Sequence, residues 1–303
     1  MKKMFFFRDV SAQHVKVSHG GFVGLPSITG VTGLNRNFAI QLAAALGLAP
    51  HDIQPSGALL AFGGYLLHEG YKKGFKPGKA VYESIPAAWA SFTAHIALEV
   101  EAVSPAAQEK LAGAALAGLA ADLLGGMSLC KGSLRNVKKP VPLEHPSLAR
   151  FGSDRERVLN MLPSDSFVIK DCSYLVSDMR VEGVPLMEGL VASTLRHSQR
   201  PLRYRTFFED ESRQVQEWRL APVMHGLLTL EEVASGKSTR PDSNGVMEAS
   251  RFASPTFTLT RLQKAPSLRL GYRQDLDAGV DNPPMMAFWR EHRLPNGYFC
   301  HAE

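Results

Sequence analysis

Apolar positions recur with two periods along the first 130 residues. Met4 to Val17 is aromatic and β-branched with partial alternation, which predicts a strand. Leu34, Phe38, Leu42 and Leu46 then recur at helical spacing, with Thr29 or Thr32 as N-cap and Gly47 at the stop. Gly57 to His68 and Val81 to Val103 read as two further strands. In the second, Phe92, Ala94, Ile96, Leu98 and Val100 alternate with polar neighbours. Ser104-Pro105 opens a second helix, lined by Leu111, Leu116, Leu119 and Leu123 and ended by Gly125. "GMSLCKG" follows as a short strand. The succession β-α-β-β-α-β predicts an α+β fold with a ferredoxin-like, RRM-like module over residues 1–132, the frame of many RNA-recognition domains.

Beyond Gly132 the pattern is less regular, and residues 133–303 are expected to form a β-containing extension that completes the chain. Arg135 to Ser153 is basic and Pro-rich, Phe167 to Val176 predicts a strand, and Met187 to Leu195 a short helix. Ser235 to Gly245 has the composition of an exposed loop. The apolar runs Trp218 to Leu230 and Ser254 to Leu262 are too short to assign.

Composition adds little to this picture, but charge distribution adds much. The 303 residues are 45% hydrophobic and 21% charged, enough to bury a sizeable core. No apolar run reaches membrane-span length, and "MKKMFFFRDV" lacks a signal peptide's long apolar block and cleavage site, so a cytoplasmic protein is expected. Net charge is +5, yet three acid-free clusters hold 12 cations: Lys72, Lys73, Lys76 and Lys79; Lys131, Arg135, Lys138 and Lys139; Arg196, Arg200, Arg203 and Arg205. The rest carries 22 basic against 29 acidic residues, a net −7. An acidic body with basic patches suits an extended polyanion, because each phosphate neutralised releases counterions.

Several chemistries are excluded. "GLPSITGVTGLNRNF", Gly24 to Phe38, has the look of a nucleotide loop, but lacks the Lys of G-x-x-x-x-G-K-[ST] and the spacing of G-x-G-x-x-G. Ten histidines and three cysteines (Cys130, Cys172, Cys300) supply no metal-ligand spacing, so neither metal nor cofactor is expected. No G-x-S-x-G elbow occurs. His68, Tyr71 and Lys72 are near enough in sequence for a metal-free ribonuclease, with His68 as base and Lys72 on the phosphate.

The first module resembles a known family on several collinear stretches. The Phe5-to-Arg8 strand, the polar Gln13-to-Ser18 strand end and "GLPSITGVTGL" leading into a helix are similar to the Cas-five-type, second Csy subunit of type I-F CRISPR surveillance complexes. "AHIALEVEAV", "SPAAQEKLAG", "LLGGMSL" and "FGSDRERVLNMLPSDSFVI" follow in the family's order, with weaker echoes at Trp218 to Leu230 and "NGYFCHAE". About half the chain takes part. Connections around Lys72 to Lys79 are shorter than the family's, and Ser177 to Gln216 and Val233 to Leu276 have no counterpart.

The resemblance implies a non-catalytic subunit that holds the 5′ handle of the CRISPR RNA, caps the complex and contacts its large and backbone subunits. In related systems the matching region also lies near the target's protospacer-adjacent motif, which adds target DNA as a candidate partner. Some relatives instead cut the CRISPR repeat, and a metal-independent endoribonuclease is the alternative. For handle binding, the Gly-rich loop, through Gly30 and Gly33, presents backbone N–H groups to phosphate at a helix N-terminus. Ser27, Thr29, Thr32 and Asn35 serve as donors there and Arg36 as a charge. Arg8 and Gln13 are placed to read bases, while the Lys72–Lys79 and Lys131–Lys139 clusters neutralise backbone. Two plainer assignments stay open: loop hydroxyls that only cap the helix, and Arg8 paired internally with Asp9.

Overall fold

A computed structural model describes residues 1–19, 22–75, 82–113, 116–194, 220–229, 240–241, 247–248, 253–277, 285–294 and 297–303. Strand β1 (Lys2–Lys16) is followed by a short hairpin of β2 (Ser18–His19) and β3 (Phe22–Val23), then helix α1 (Ile28–Ala45). Strands β4 (Ile53–Phe75) and β5 (Tyr82–Ala102) precede helices α2 (Pro105–Ala112) and α3 (Leu116–Gly125). Strands β6 (Ser128–Leu129) and β7 (Gly132–Arg135) close this half. The second half holds α4 (Asp154–Met161), β8 (Phe167–Asp171), α5 (Ser173–Val181), α6 (Leu186–Thr194) and β9 (Leu220–Thr229). After the small β10 (Arg240–Pro241) and β11 (Met247–Glu248) come β12 (Ala253–Lys264), α7 (Ala265–Asp277), β13 (Trp289–Leu294) and β14 (Gly297–Ala302).

The protein is α+β, built on a ten-stranded sheet in the order β13-β14-β9-β12-β8-β4-β5-β1-β7-β6. Neighbouring strands run antiparallel. In the first half β5 lies between β4 and β1, with β7 on the far side of β1. The second half repeats part of this scheme, since β12 lies between β8 and β9. It is therefore more regular than its sequence suggests. Trp289 of β13 also pairs with Ala58 of β4, so β4, β8, β12, β9, β14 and β13 form a closed circuit. The indole Nε1 of Trp289 donates to the Ile169 carbonyl at 3.0 Å, satisfying the one polar atom of a fully buried ring.

Two apolar layers flank the central strands. Phe5 and Phe7 of β1 meet Phe38 of α1 edge-on, in a core that also takes the Phe92-to-Val100 stripe of β5. On the opposite face, Met4, Phe6, Leu59, Ala61 and Ala97 are covered by Val158 and Leu159 of α4 and Leu268 of α7. Among the described residues no helix is long and apolar enough to cross a membrane.

Five elements differ from the sequence reading, the first being the helix expected from Ser104 to Gly125, which is two: α2 is capped by Gly113 and α3 starts at Leu116. The loop expected from Gly24 to a cap at Thr29 or Thr32 is shorter, because α1 starts at Ile28 with Ser27 as N-cap; the Ser27 hydroxyl accepts from Gly30 N–H. Lys72 and Lys73 lie within β4, paired with Ile85 and Ser84, not in a loop. "GMSLCKG" is not one strand but holds the short β6 and a turn at Cys130 and Lys131, both at positive φ, that leads into β7, and it is β7 that pairs with β1. The strand expected to run to Val176 stops at Asp171, whose buried carboxylate accepts from Ser173 N–H at 2.7 Å and turns the chain into α5.

Candidate nucleic-acid interface

Strand alternation divides β5 into two faces. Phe92 and Ala94 enter the α1 core, so Ser91, Thr93 and His95 point the other way, onto the face that α4 and α7 cover only at one end. Past that cover the face continues as Ser11, Gln13 and His14 of β1 and His68 of β4. These residues border an open groove of about 480 Å³, lined by Gln13, His14, Leu66, His68, Ser91 and Thr93.

Two bulges shape the groove. Register slips between Ala12 and Val15 on β1 and between Gly63 and Leu66 on β4, and His14 takes a left-handed φ of 55°. A bulge re-aims side chains that a regular ladder would hold apart. Here the two imidazoles lean over Ser91, with ring centroids 6.0 Å apart and planes within 19°. Ser91 Oγ accepts from His14 N–H at 3.4 Å and lies 3.3 Å from His68 Nε2.

Arg8 sits at the covered end of this face. Its Nε is buried without a hydrogen-bond partner. Asp9 turns toward His95: its N–H donates to His95 Nδ1 at 3.3 Å and its carboxylate stands 3.8 Å from the same nitrogen. Burial lowers the His95 pKa below the usual imidazole value, against the opposing pull of Asp9. The imidazole therefore acts as a neutral acceptor.

The second basic cluster borders the groove. Strand β7 pairs Arg135 with Ser11 and Ser133 with Gln13, and a side chain at Gly132 would meet Val15 Cα at 2.6 Å, so only glycine lets the turn approach so closely. Val141 N–H then donates to the Phe6 carbonyl at 2.7 Å, which keeps the chain alongside β1 past Lys138 and Lys139. Lys131, Arg135, Lys138 and Lys139 are all exposed, in a stretch from Met127 to Leu143 that contains no acid.

The Gly24–Phe38 stretch faces elsewhere. Thr32 is buried and donates to the Ile28 carbonyl, with Cys300 Sγ at 3.2 Å. Buried Asn35 donates to the carbonyls of Gly57 and Glu99, and Arg36 pairs with Glu291 at 3.0 Å. Ser27 is buried as the cap, while Thr29 and Gly33 are half-buried on α1. The phosphate cradle expected there is thus corrected to a packed helix start. Lys76, Lys79, Arg196, Arg200, Arg203 and Arg205 lie outside the described residues.

Gly30 serves packing: an added Cβ would come within 2.2 Å of Cys130 Sγ. Gly30→Ala is expected to lower stability by about 1–3 kcal/mol through overpacking. In a Cys130→Ala background the same change becomes neutral or stabilising, as alanine favours helix. Urea unfolding of the single and double variants checks this; equal costs in both backgrounds would refute it.

No motif marks His14, Ser91, Thr93 or His95 as functional. The polar alternation of β5 was the one signal for Ser91, Thr93 and His95, and His14 lay only within the polar strand end Gln13 to Ser18. No family model matches the chain, and no curated protein matches it in sequence.

Proposed function

We propose that this protein is a non-catalytic RNA-binding subunit of a type I-F CRISPR surveillance complex. It holds the 5′ handle of the guide RNA and contacts the large and backbone subunits. The observation that carries the reading is the open polar sheet face bearing Gln13, His14, His68 and Ser91, with Arg8 at its covered end and Lys131, Arg135, Lys138 and Lys139 along its border. Single-stranded RNA is recognised by stacking and hydrogen bonding to splayed bases, together with neutralisation of its backbone, and such a face offers both. The order β4-β5-β1-β7 with intervening helices supports a ferredoxin-like frame for it. Collinear resemblance of the N-terminal half supplies the CRISPR context.

A second reading, a metal-independent endoribonuclease, is favoured by one observation: His68 Nε2 lies 3.3 Å from Ser91 Oγ beside a second imidazole. General acid–base catalysis needs such a pair. Labelled CRISPR repeat RNA incubated with the protein in EDTA separates the two. Binding without cleavage is the expected result, whereas cleavage abolished by His68→Ala would replace the first reading with the second.

A further inference from the structure

We propose that His14 and His68 form a bracket for one unpaired nucleobase of single-stranded RNA, with Ser91 at its floor and Gln13 and Thr93 at its rim. This rests on the RNA-binding reading and assigns it a subsite. The two rings come from β1 and β4, the strands on either side of β5, and they lie nearly parallel with centroids 6.0 Å apart. A base seated between two imidazoles stacks on both, which requires an opening between the rings. His14 has the freedom to supply it: its backbone N–H is held by Ser91 Oγ, while its ring is exposed.

Neighbouring groups suit a nucleobase in particular. Leu66, 59% exposed, adds apolar surface to the same groove. Gln13 is exposed, and its amide makes one long contact, 3.4 Å to Ser11 Oγ, leaving donor and acceptor capacity for a base edge. Across β7, the exposed Lys131 and Arg135 stand where the sugar-phosphate chain of a base seated in the groove would leave it. An apolar ligand without charge would leave these cations unused. Imidazole stacking tolerates any base, so the bracket selects for the presence of a base and the rim for its identity.

The test is a single-stranded CRISPR-repeat RNA oligonucleotide with single abasic replacements along its length, titrated against the full chain. One replacement is expected to weaken binding roughly ten-fold and the others little. His68→Ala should cost a similar factor with the intact oligonucleotide and nothing further with that abasic one. His68→Phe, which keeps a ring, should retain most of the affinity. A flat abasic series, or equal losses for intact and abasic RNA on His68→Ala, would overturn the bracket while leaving salt-dependent RNA binding intact. Failure of the unsubstituted protein to bind RNA would sink both the bracket and the RNA reading.

Discussion

Arg155→Met is expected to lower the unfolding free energy by about 3 kcal/mol, the cost of leaving a buried charge without its partner. Arg155 stands at the start of α4 and reaches across to β5, where its Nη2 and Nε donate to the two oxygens of Glu99 at 2.8 and 3.3 Å. Glu99 is 7% exposed and also accepts from Ser56 Oγ at 2.9 Å. The guanidinium lies 5.0 Å over the Phe288 ring and extends Nη1 toward Glu303, which pairs in turn with Arg290. The network therefore fastens α4 and the last strands onto the central strand β5. Replacing both Arg155 and Glu99 with apolar residues should cost less than Arg155→Met alone, since no orphaned charge remains. Arg293→Ala, at a pair whose arginine is 78% exposed, should change stability by only about 0–0.5 kcal/mol. Urea unfolding of the three variants decides the matter. If Arg155→Met matched Arg293→Ala, the Glu99 pair would be screened like a surface contact.

What could be read in advance depended on how local the cause was. The alternation from Phe92 to Val100 already assigned β5 two faces, and the structure places that stripe in the α1 core. Ser104 and Pro105 announced α2 because a cap and a first-turn proline act within a few residues. The start of α1 was misread because Gly30 and Gly33 resemble loop residues. The reason for Gly30 is Cys130, a hundred positions away in the chain. Burial of Thr32 and Asn35 likewise depends on Cys300, Gly57 and Glu99. The meeting of His14 and His68 requires two bulges in strands that are not even adjacent, and no local pattern encodes their register. Arg8 and Gln13 stood out in the sequence as polar residues of a largely apolar strand, and the structure leaves Gln13 exposed while it buries the Arg8 Nε.

The salt dependence of RNA binding should fall sharply when the second basic cluster is neutralised. If Lys131, Arg135, Lys138 and Lys139 each meet a phosphate, log affinity should change with log salt at a slope of about −2.8, taking −0.7 per contact on a single strand. Affinity would then drop roughly fifty-fold between about 50 and 200 mM salt. The quadruple change to glutamine should bring the slope near zero and leave folding intact, because all four side chains are exposed. The comparison also discriminates among the basic clusters. Lys72 and Lys73 extend the β4–β5 ribbon beyond its pairing with β1, whose last partner on β5 is Trp89, whereas Arg135 and Ser133 pair directly with β1 at the groove. Retention of the slope in the quadruple variant, with its loss on Lys72→Gln and Lys73→Gln, would move the phosphate track to the ribbon. Loss of the slope from the β7 edge instead ties backbone neutralisation to the neighbour of the strand that carries Gln13 and His14, so that two paired strands would hold the charge contacts and the base contacts side by side.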